Sequence, residues 1–558
     1  MGDKEGKGRG EGRLSLKEEA AAVDRQILRL LLKRHNLLEK MRKSGRLDTA
    51  DEIYLRESWQ REVARVSKDA ELSSRFFALM QNARFMPKPA GPDEETGRLR
   101  EAFNLAPSRS PAKFSLIAPP DSAQSRSWLY VAACAGAPLC LSPAPAGDAA
   151  VDFIQALTQM GAAVTREENA AVCRGLSPMG YPDKVLFAGD SAYNFYLILA
   201  HYIGRHSHCK ISGGADLKLA DFSAIRNFLA KMGARMIHIV PKSSGLPVRL
   251  ECSGILPPSV VATPELPAAF LRALILAALF YEKPLGFDLS GHPRRASILA
   301  RVLPILENCG ATFTAGEDFI NIQPTSVAVP ERPSLALDPE ISCFILGVAA
   351  PLGGNASLAG RWPEWPETTA LWNLLLFAGA PWKKERDKIS VEAAGSLEKF
   401  LIADAPEEIQ APLPDWAFPL LTALAVCAAL KGGDSSLPRS ALAKDETVDF
   451  LRICQCRADE DGHIRRMDEP LKDRSWNAPA PGWAMALALA ACARERDQHF
   501  SLGNPGIALE LWPAWWTFYN SLPSPRLKKE TPEPPAIKRR RILTQVAAEL
   551  PEPREEDW

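Results

Sequence analysis

The chain has 558 residues, 46% of them hydrophobic and 24% charged, with 67 Lys and Arg balanced by 67 Asp and Glu. That length exceeds what one core usually holds, so two or more domains are expected. Zero net charge gives no electrostatic argument for nucleic acid, and no apolar run reaches the roughly 18–20 residues of a membrane span. The polar start "MGDKEGKGRGEGR" lacks the apolar core of a signal peptide, so a cytoplasmic chain is expected. The eleven cysteines are scattered. "HSHC" (206–209) and "CQC" (454–456) lack a second ligand pair at finger spacing, so no metal or cofactor is expected. The cysteines read as reduced, mostly buried small hydrophobes.

In chain order, residues 1–12 read as a disordered leader and residues 13–86 as an all-helical module. A long first helix runs to about Lys43, a second covers about Thr49 to Val66, and a third about Asp69 to Phe85. A seven-residue step through the first gives two apolar rows, Leu16, Val23, Leu30, Leu37 and Ala20, Ile27, Arg34, Met41. These rows are a buried seam, and Arg34 interrupts it. The second helix repeats the oddity: Arg56 shares a stripe with Ile53, Gln60 and Val63, and Glu57 sits beside it. On the third, Phe77, Gln81, Arg84 and Lys88 form a row beside the core face, Lys88 only if the helix passes Pro87. From Arg13 to Arg84 there are 16 Lys and Arg against 11 Asp and Glu. Either arginine alone is satisfied by Glu57 or Glu18, or by reaching water along its aliphatic stem. Two on converging helices favour a pocket for a small anion, because guanidinium forks bind carboxylates bidentately.

This module resembles the all-helical chorismate mutases, through "VDRQILRLLLKRHNLL", the "LRES" that opens the second helix, and the short third helix. The resemblance implies an intertwined homodimer that rearranges chorismate to prephenate by a pericyclic shift. Such a shift needs no nucleophile, only a held conformer and charge stabilised on the ether oxygen. It gives Arg34 and Arg56 as carboxylate-binding residues and Glu57 as the acid holding the substrate hydroxyl. Lys17 stands where an arginine reaches into the partner's site. The family's ether-oxygen lysine falls near Gly45, with Arg46 next to it. The serine and glutamine of the third helix correspond to Arg84 and Lys88, and Lys88 remains able to donate to the ether oxygen.

A proline-rich linker, 87–112, follows. From 113 to 523 the pattern is α/β: short β-rich runs such as "FSLIAPP", "ARMIHIVP" and "DFINIQP" alternate with Ala/Leu-rich helices. Several units end in a helix, then Gly-Ala, then a strand: "ALTQMGAAV", "FLAKMGARMIHIV", "ILENCGATF" and "NLLLFAGAPW". The glycine suits a left-handed helix end, and the recurrence predicts an internally repeated fold with a cleft. The tail, 524–558, is charged and proline-rich, and its "KRRR" (538–541) reads as solvated and disordered.

The order of motifs resembles EPSP synthase, 3-phosphoshikimate 1-carboxyvinyltransferase. "APPDSAQSRSWLYVAACA", "VLFAGDSAYNFYLILAHYI", "PAAFLRALILAALF", "LDPEISCFILGVAAPLGG", "LPDWAFPLLTALAVCAALKGG" and "APGWAMALALAACARE" follow one another as that family's motifs do. The resemblance implies two lobes of βαβ-type units with substrates between them: lobe one 113–120 plus about 325–523, lobe two about 121–324. The chain is then expected to cross near Pro119–Pro120 and near Pro324–Pro333. It also implies a dense cationic site for shikimate 3-phosphate and phosphoenolpyruvate, with an acid and a base. Ser122, Arg126 and Asp415 keep family positions, and Lys444 and Glu446 loosely retain a Lys-Glu pair. Elsewhere the charges are lost. Asp121 replaces a lysine, Asp190, Ala192 and Tyr193 replace an Asn-Gly-Thr set, and Asp216 replaces an arginine. Pro267–Ala269 replaces Ser-Ser-Gln, Pro481–Gly482 replaces His-Arg, and Glu510 replaces the last lysine. Each lost charged hydrogen bond costs roughly 1.5–3 kcal/mol, so a retained fold with a decayed transferase site is expected. For Arg126, Asp415 and Lys444 a plain place on the domain surface stands beside the functional reading.

Three functions follow: a working mutase with the large domain as scaffold or regulator, a transferase with a rearranged site, or a non-catalytic binding protein. Cleft charge separates the second from the third.

Overall fold

A backbone angle of positive φ closes helix after helix. The helices Asp148–Gln159, Ser223–Lys231, Arg295–Asn308 and Pro366–Phe377 are followed by Gly161, Gly233, Gly310 and Gly379, at φ 94°, 65°, 64° and 90°. Only glycine enters that region without a Cβ penalty. Each turn delivers the chain into an antiparallel hairpin. The pairs are Val164–Arg166 with Ala171–Arg174, Ala234–His238 with Val248–Ser253, Phe313–Ala315 with Phe319–Ile322, and Trp382–Glu385 with Lys388–Ala393. A fifth unit runs from the helix Asp445–Ile453 through Gln455 (φ 56°) into Cys456–Ala458 paired with Ile464–Arg466.

The computed structural model describes residues 103–105 and, with short gaps, 111–522, together with Arg34, Ser58 and Arg61. Three of the hairpins grow into four-stranded mixed sheets by adding strands that include one parallel pair, as in the order Val185–Phe187, His206–Ser212, Val248–Ser253, Ala234–His238. The helices Ala192–Ile203 and Ala268–Ala278 are apolar nearly all round and lie within one core, which runs from Trp128 to Ile322. Ala417–Leu430 and Pro481–Ala491 do the same in a second core, which gathers Leu105, Ala112, Ala118 and residues from Leu337 to Leu522. These cores define two lobes. The chain enters lobe two, the one around the Trp128–Ile322 core, after Ala118, where Pro120 bridges Leu337, and returns to lobe one between Leu335 and Leu337, just past the Pro324–Pro333 stretch. The stretch read as a proline-rich linker, 87–112, contains a strand, Phe103–Leu105. It pairs with Phe500–Leu502 and buries Leu105 in the second core.

The chain divides into two units, Met1–Arg100 and Glu101–Trp558. In the first, Arg34, Ser58 and Arg61 are helical; Arg34 and Ser58 are half-buried and Arg61 exposed. Lys17, Arg46, Arg56, Glu57, Arg84 and Lys88 lie outside the described residues. All eleven cysteines are free, and ten are buried. In "HSHC" the strand alternation turns His206 and His208 outward and Cys209 into the core. Among the described residues no helix is long and apolar enough to cross a membrane, and no group of three His, Cys, Asp or Glu side chains is placed to hold a metal.

Candidate functional site

The helix Ser122–Ala135 starts at the lobe crossing. Asp121 caps it, accepting the backbone N–H of Gln124 at 2.6 Å. One turn on, Arg126 is only 7% exposed. Its Nε donates to the Ser122 carbonyl at 3.0 Å, and one Nη donates to Ser191 Oγ at 2.6 Å and Asn194 Oδ1 at 2.8 Å. The guanidinium also lies 5.3 Å from the Tyr193 ring centre, and burial lowers its ionisation. Arg126 is therefore no surface residue. It ties two helix N-termini together.

Between the lobes lies a cavity of about 500 Å³. Lobe two contributes Pro267, Ala268, Ala269 and Arg272 at the start of one helix, and Pro293, Arg294, Ser297 and Arg301 at and before the start of the next; lobe one contributes Pro366, Glu367 and Leu413–Trp416. Arg301 is the bridge across it. Its Nε and Nη2 donate to Glu367 Oε1 at 3.0 and 2.6 Å, Ser297 Oγ donates to the same oxygen at 3.0 Å, and its guanidinium sits 3.5 Å from the Trp365 ring centre. Burial opposes a charge on Glu367, but the Arg301 cation and these hydrogen bonds outweigh it and hold the carboxyl below its ordinary value. Arg272 lies over Tyr193 at 5.2 Å. Burial, and then the Arg301 charge, bring its ionisation down to about 10. Both Arg272 Nε and Glu367 Oε2 are buried without a hydrogen-bond partner.

Of the candidate site residues in this unit, Asp415 lines the cavity, together with Pro267–Ala269, the stretch that replaces Ser-Ser-Gln. Its carboxylate is 85% exposed and pairs with Lys444 Nζ at 3.0 Å, while that ammonium lies 4.0 Å from the Phe418 ring centre. Ser122 is half-buried, and Glu446 is exposed in the first turn of its helix. The residues missed were Arg272, Arg301 and Glu367. Arg272 did carry a signal, as the one charge in "FLRALILAALF", the same oddity that Arg34 shows in its own seam.

A second constellation is acidic. Burial raises the carboxyl of Glu510, and Asp148, Asp216 and Asp190 raise it further in that order. Asp190 Oδ1 accepts the backbone N–H of Asp216 at 3.1 Å. A Cβ on Gly214 would strike the Asp190 carboxylate, so the glycine is what admits that side chain. A further concavity, about 1310 Å³, is a different surface: the open outer face of a sheet, where Arg249 pairs with Glu251 and His208 with Asp183.

No family model and no curated protein matches the sequence. Solved structures do. The structure of EPSP synthase from Acinetobacter baumannii, in two determinations, is 19% and 18% identical, covering 75% of this chain and 98% of that one at TM-scores of 0.61 and 0.60. The enolpyruvyl transferase NikO from Streptomyces tendae is 14% identical, covering 75% of this chain and 96% of that one, at a TM-score of 0.56. The large unit has the fold of EPSP synthase. The acidic constellation gathers Asp190, Asp216 and Glu510, three of the positions where the motif resemblance implies an anion-binding residue and this sequence has an acid. Chain positions some three hundred residues apart converge on one negative patch.

Proposed function

We propose that this is a protein of chorismate metabolism in which the N-terminal helical module rearranges chorismate to prephenate, while the EPSP synthase-like unit transfers no carboxyvinyl group. The observation that carries it is the acidic patch around Glu510. A site for two phosphorylated substrates needs converging cations, and here Asp148, Asp190 and Asp216 raise the pKa of a fourth acid. A phosphoenolpyruvate phosphate brought there meets repulsion in place of charged hydrogen bonds. That leaves the helical module as the part of the chain whose residues suit catalysis on a chorismate-like dianion. Arg34 in its seam is half-buried, with its ionisation lowered by burial. A pericyclic shift asks only for held carboxylates and a donor to the ether oxygen, which arginines and a lysine supply. By the resemblance, a homodimer through this module would complete the site with Lys17 of the second copy.

The test is to incubate the purified chain with chorismate and, separately, with shikimate 3-phosphate plus phosphoenolpyruvate. Prephenate is expected in the first and no phosphate release in the second. Arg34→Ala is expected to lower mutase turnover on the order of a hundredfold, the cost of a lost charged, bidentate contact. Undiminished turnover in Arg34→Ala, or a chain that never converts chorismate, refutes the mutase assignment.

A further inference from the structure

We propose that the outer face of a four-stranded sheet in lobe two docks the acidic segment 549–558 of the same chain, through its carboxylates and Trp558. The sheet is the one ordered Val185–Phe187, His206–Ser212, Val248–Ser253, Ala234–His238. Its concavity of about 1310 Å³ shares no lining residue with the interlobe cavity. Strand alternation turns His206, His208 and Lys210 outward, with Arg249 and Arg235 beside them on the next two strands. Arg226 and Lys242, both exposed, add to the lining. Glu251 is the one carboxylate that lines the concavity. It stands opposite Arg235 across the sheet but is taken by Arg249 at 2.9 Å. Asp183 takes His208, and Asp221 feels the Arg226 charge without pairing with it. Among the described residues no carboxylate pairs with Lys210, Arg226, Arg235 or Lys242.

The face sets what its occupant must be. Exposed cations hold carboxylates weakly one at a time, so a partner has to bring several. Segment 549–558, which lies outside the described residues, reads "ELPEPREEDW". It has five Asp and Glu against one Arg, and no ten-residue window elsewhere in the chain is as acidic. Its Trp558 suits the apolar strip beside the cations, where Val240 is 46% exposed next to Pro241 and the half-buried Ile237. Tethering favours this segment over a free acidic peptide. The 26 residues 523–548 join it to Leu522 in the lobe-one core. Extended, they span up to about 85 Å, against a radius of gyration of roughly 22 Å for a compact body of this size. Such a tether gives an effective concentration of about millimolar, enough for a contact too weak to hold a partner from solution. No Phe, Tyr or Trp lines the concavity for bases to stack on, which disfavours single-stranded nucleic acid. Once docked, the segment straps lobe two to lobe one by a contact that salt weakens.

The experiment is zero-length carbodiimide cross-linking of the full chain, read by peptide mass spectrometry. Cross-links from Lys242 or Lys210 to carboxylates of 549–558 are expected in about 0.05 M salt, and roughly fivefold fewer in about 1 M, where the screening length is about 3 Å. Lys431, exposed on lobe one, is the reference lysine and is expected to cross-link far less. In an equal mixture of 15N-labelled and unlabelled chains, the two linked peptides are expected to carry the same label. Arg226→Glu with Arg235→Glu is expected to cut the Lys242 cross-links about tenfold, by turning attraction into repulsion. Thermal melts check that this variant folds. Glu555→Lys with Glu556→Lys reverses charge on the segment itself, leaves the sheet untouched, and decides if the first variant does not fold. Four results would overturn the proposal: cross-links to Lys431 as frequent as those to Lys242, links between chains of different label, cross-links unchanged in the folded variants, or no cross-link in the parent. In the last case, saturation of the chain by a single-stranded RNA oligonucleotide would reassign the face to nucleic acid.

Discussion

Asp338 shows how much one residue carries at the lobe crossing. Its carboxylate caps the helix Pro339–Gly347 by accepting the Ile341 N–H at 3.0 Å, and its own N–H donates to the Pro119 carbonyl at 2.8 Å. Burial, and then the nearby Asp121, push its ionisation up to about 7, and burial with the Asp338 charge pushes Glu340 up to about 8. An unfolded aspartate titrates near 3.9. Between about pH 4 and 7 the folded protein therefore binds the extra proton, so the Asp338 contribution to stability falls as pH rises through that window and levels off above it, while Glu340 carries a further fall on to about pH 8. Asp338→Asn keeps a cap oxygen and removes the titration. It is expected to stabilise the protein at pH 8 by on the order of 1–3 kcal/mol and to flatten the dependence. Urea unfolding at pH 5, 6, 7 and 8 measures it, and an unchanged slope in the variant would contradict the assignment.

At the scale of elements, the repeat of helix, left-handed residue and hairpin is what the sequence shows most openly. Helix-period runs ending in Gly-Ala mark Gly161, Gly233, Gly310 and Gly379, and all four have positive φ. The fifth unit was hidden because Gln455, and no glycine, takes that angle. The strand Phe103–Leu105 was hidden for another reason: its partner, Phe500–Leu502, lies nearly four hundred residues away, and no local pattern encodes such a pairing. The site divides in the same way. Motif order flagged Asp216 and Glu510 singly as lost cations and Asp190 as a lost asparagine, but their convergence is a tertiary fact. Arg301 and Glu367 sit on helices of different lobes, and only the approach of the two lobes makes them a pair. The glycines also separate two costs. A Cβ on Gly310 meets nothing within 4 Å, so Gly310→Ala is expected to cost only the backbone penalty, about 1–2 kcal/mol. A Cβ on Gly233 comes 2.5 Å from the Ile255 carbonyl oxygen, so Gly233→Ala is expected to cost more. Denaturant midpoints of the two variants, compared at equal m-value, check the ranking.

At the scale of the molecule, two separate apolar cores are held together by two chain crossings and the Arg301–Glu367 bridge. The bridge is mostly shielded, with side-chain exposures of 18% and 16%. Removing one partner of such a pair leaves a buried charge, which costs roughly 3–5 kcal/mol when burial is complete and somewhat less here. Glu367→Ala has a further consequence, because Arg272 already feels the Arg301 charge. Without the carboxylate, Arg272, Arg294 and Arg301 of lobe two face the cavity, and the one acid left across it, Asp415, is already paired with Lys444, so the closed arrangement loses its attraction and keeps its repulsion. The variant is expected to melt at lower temperature, with the transitions of the two lobes separating in calorimetry, and to expand in solution scattering. Added salt should narrow that difference by screening the two like charges once water reaches them. A Glu367→Ala protein that melts in one transition at the parent's temperature would mean that the crossings alone hold the lobes.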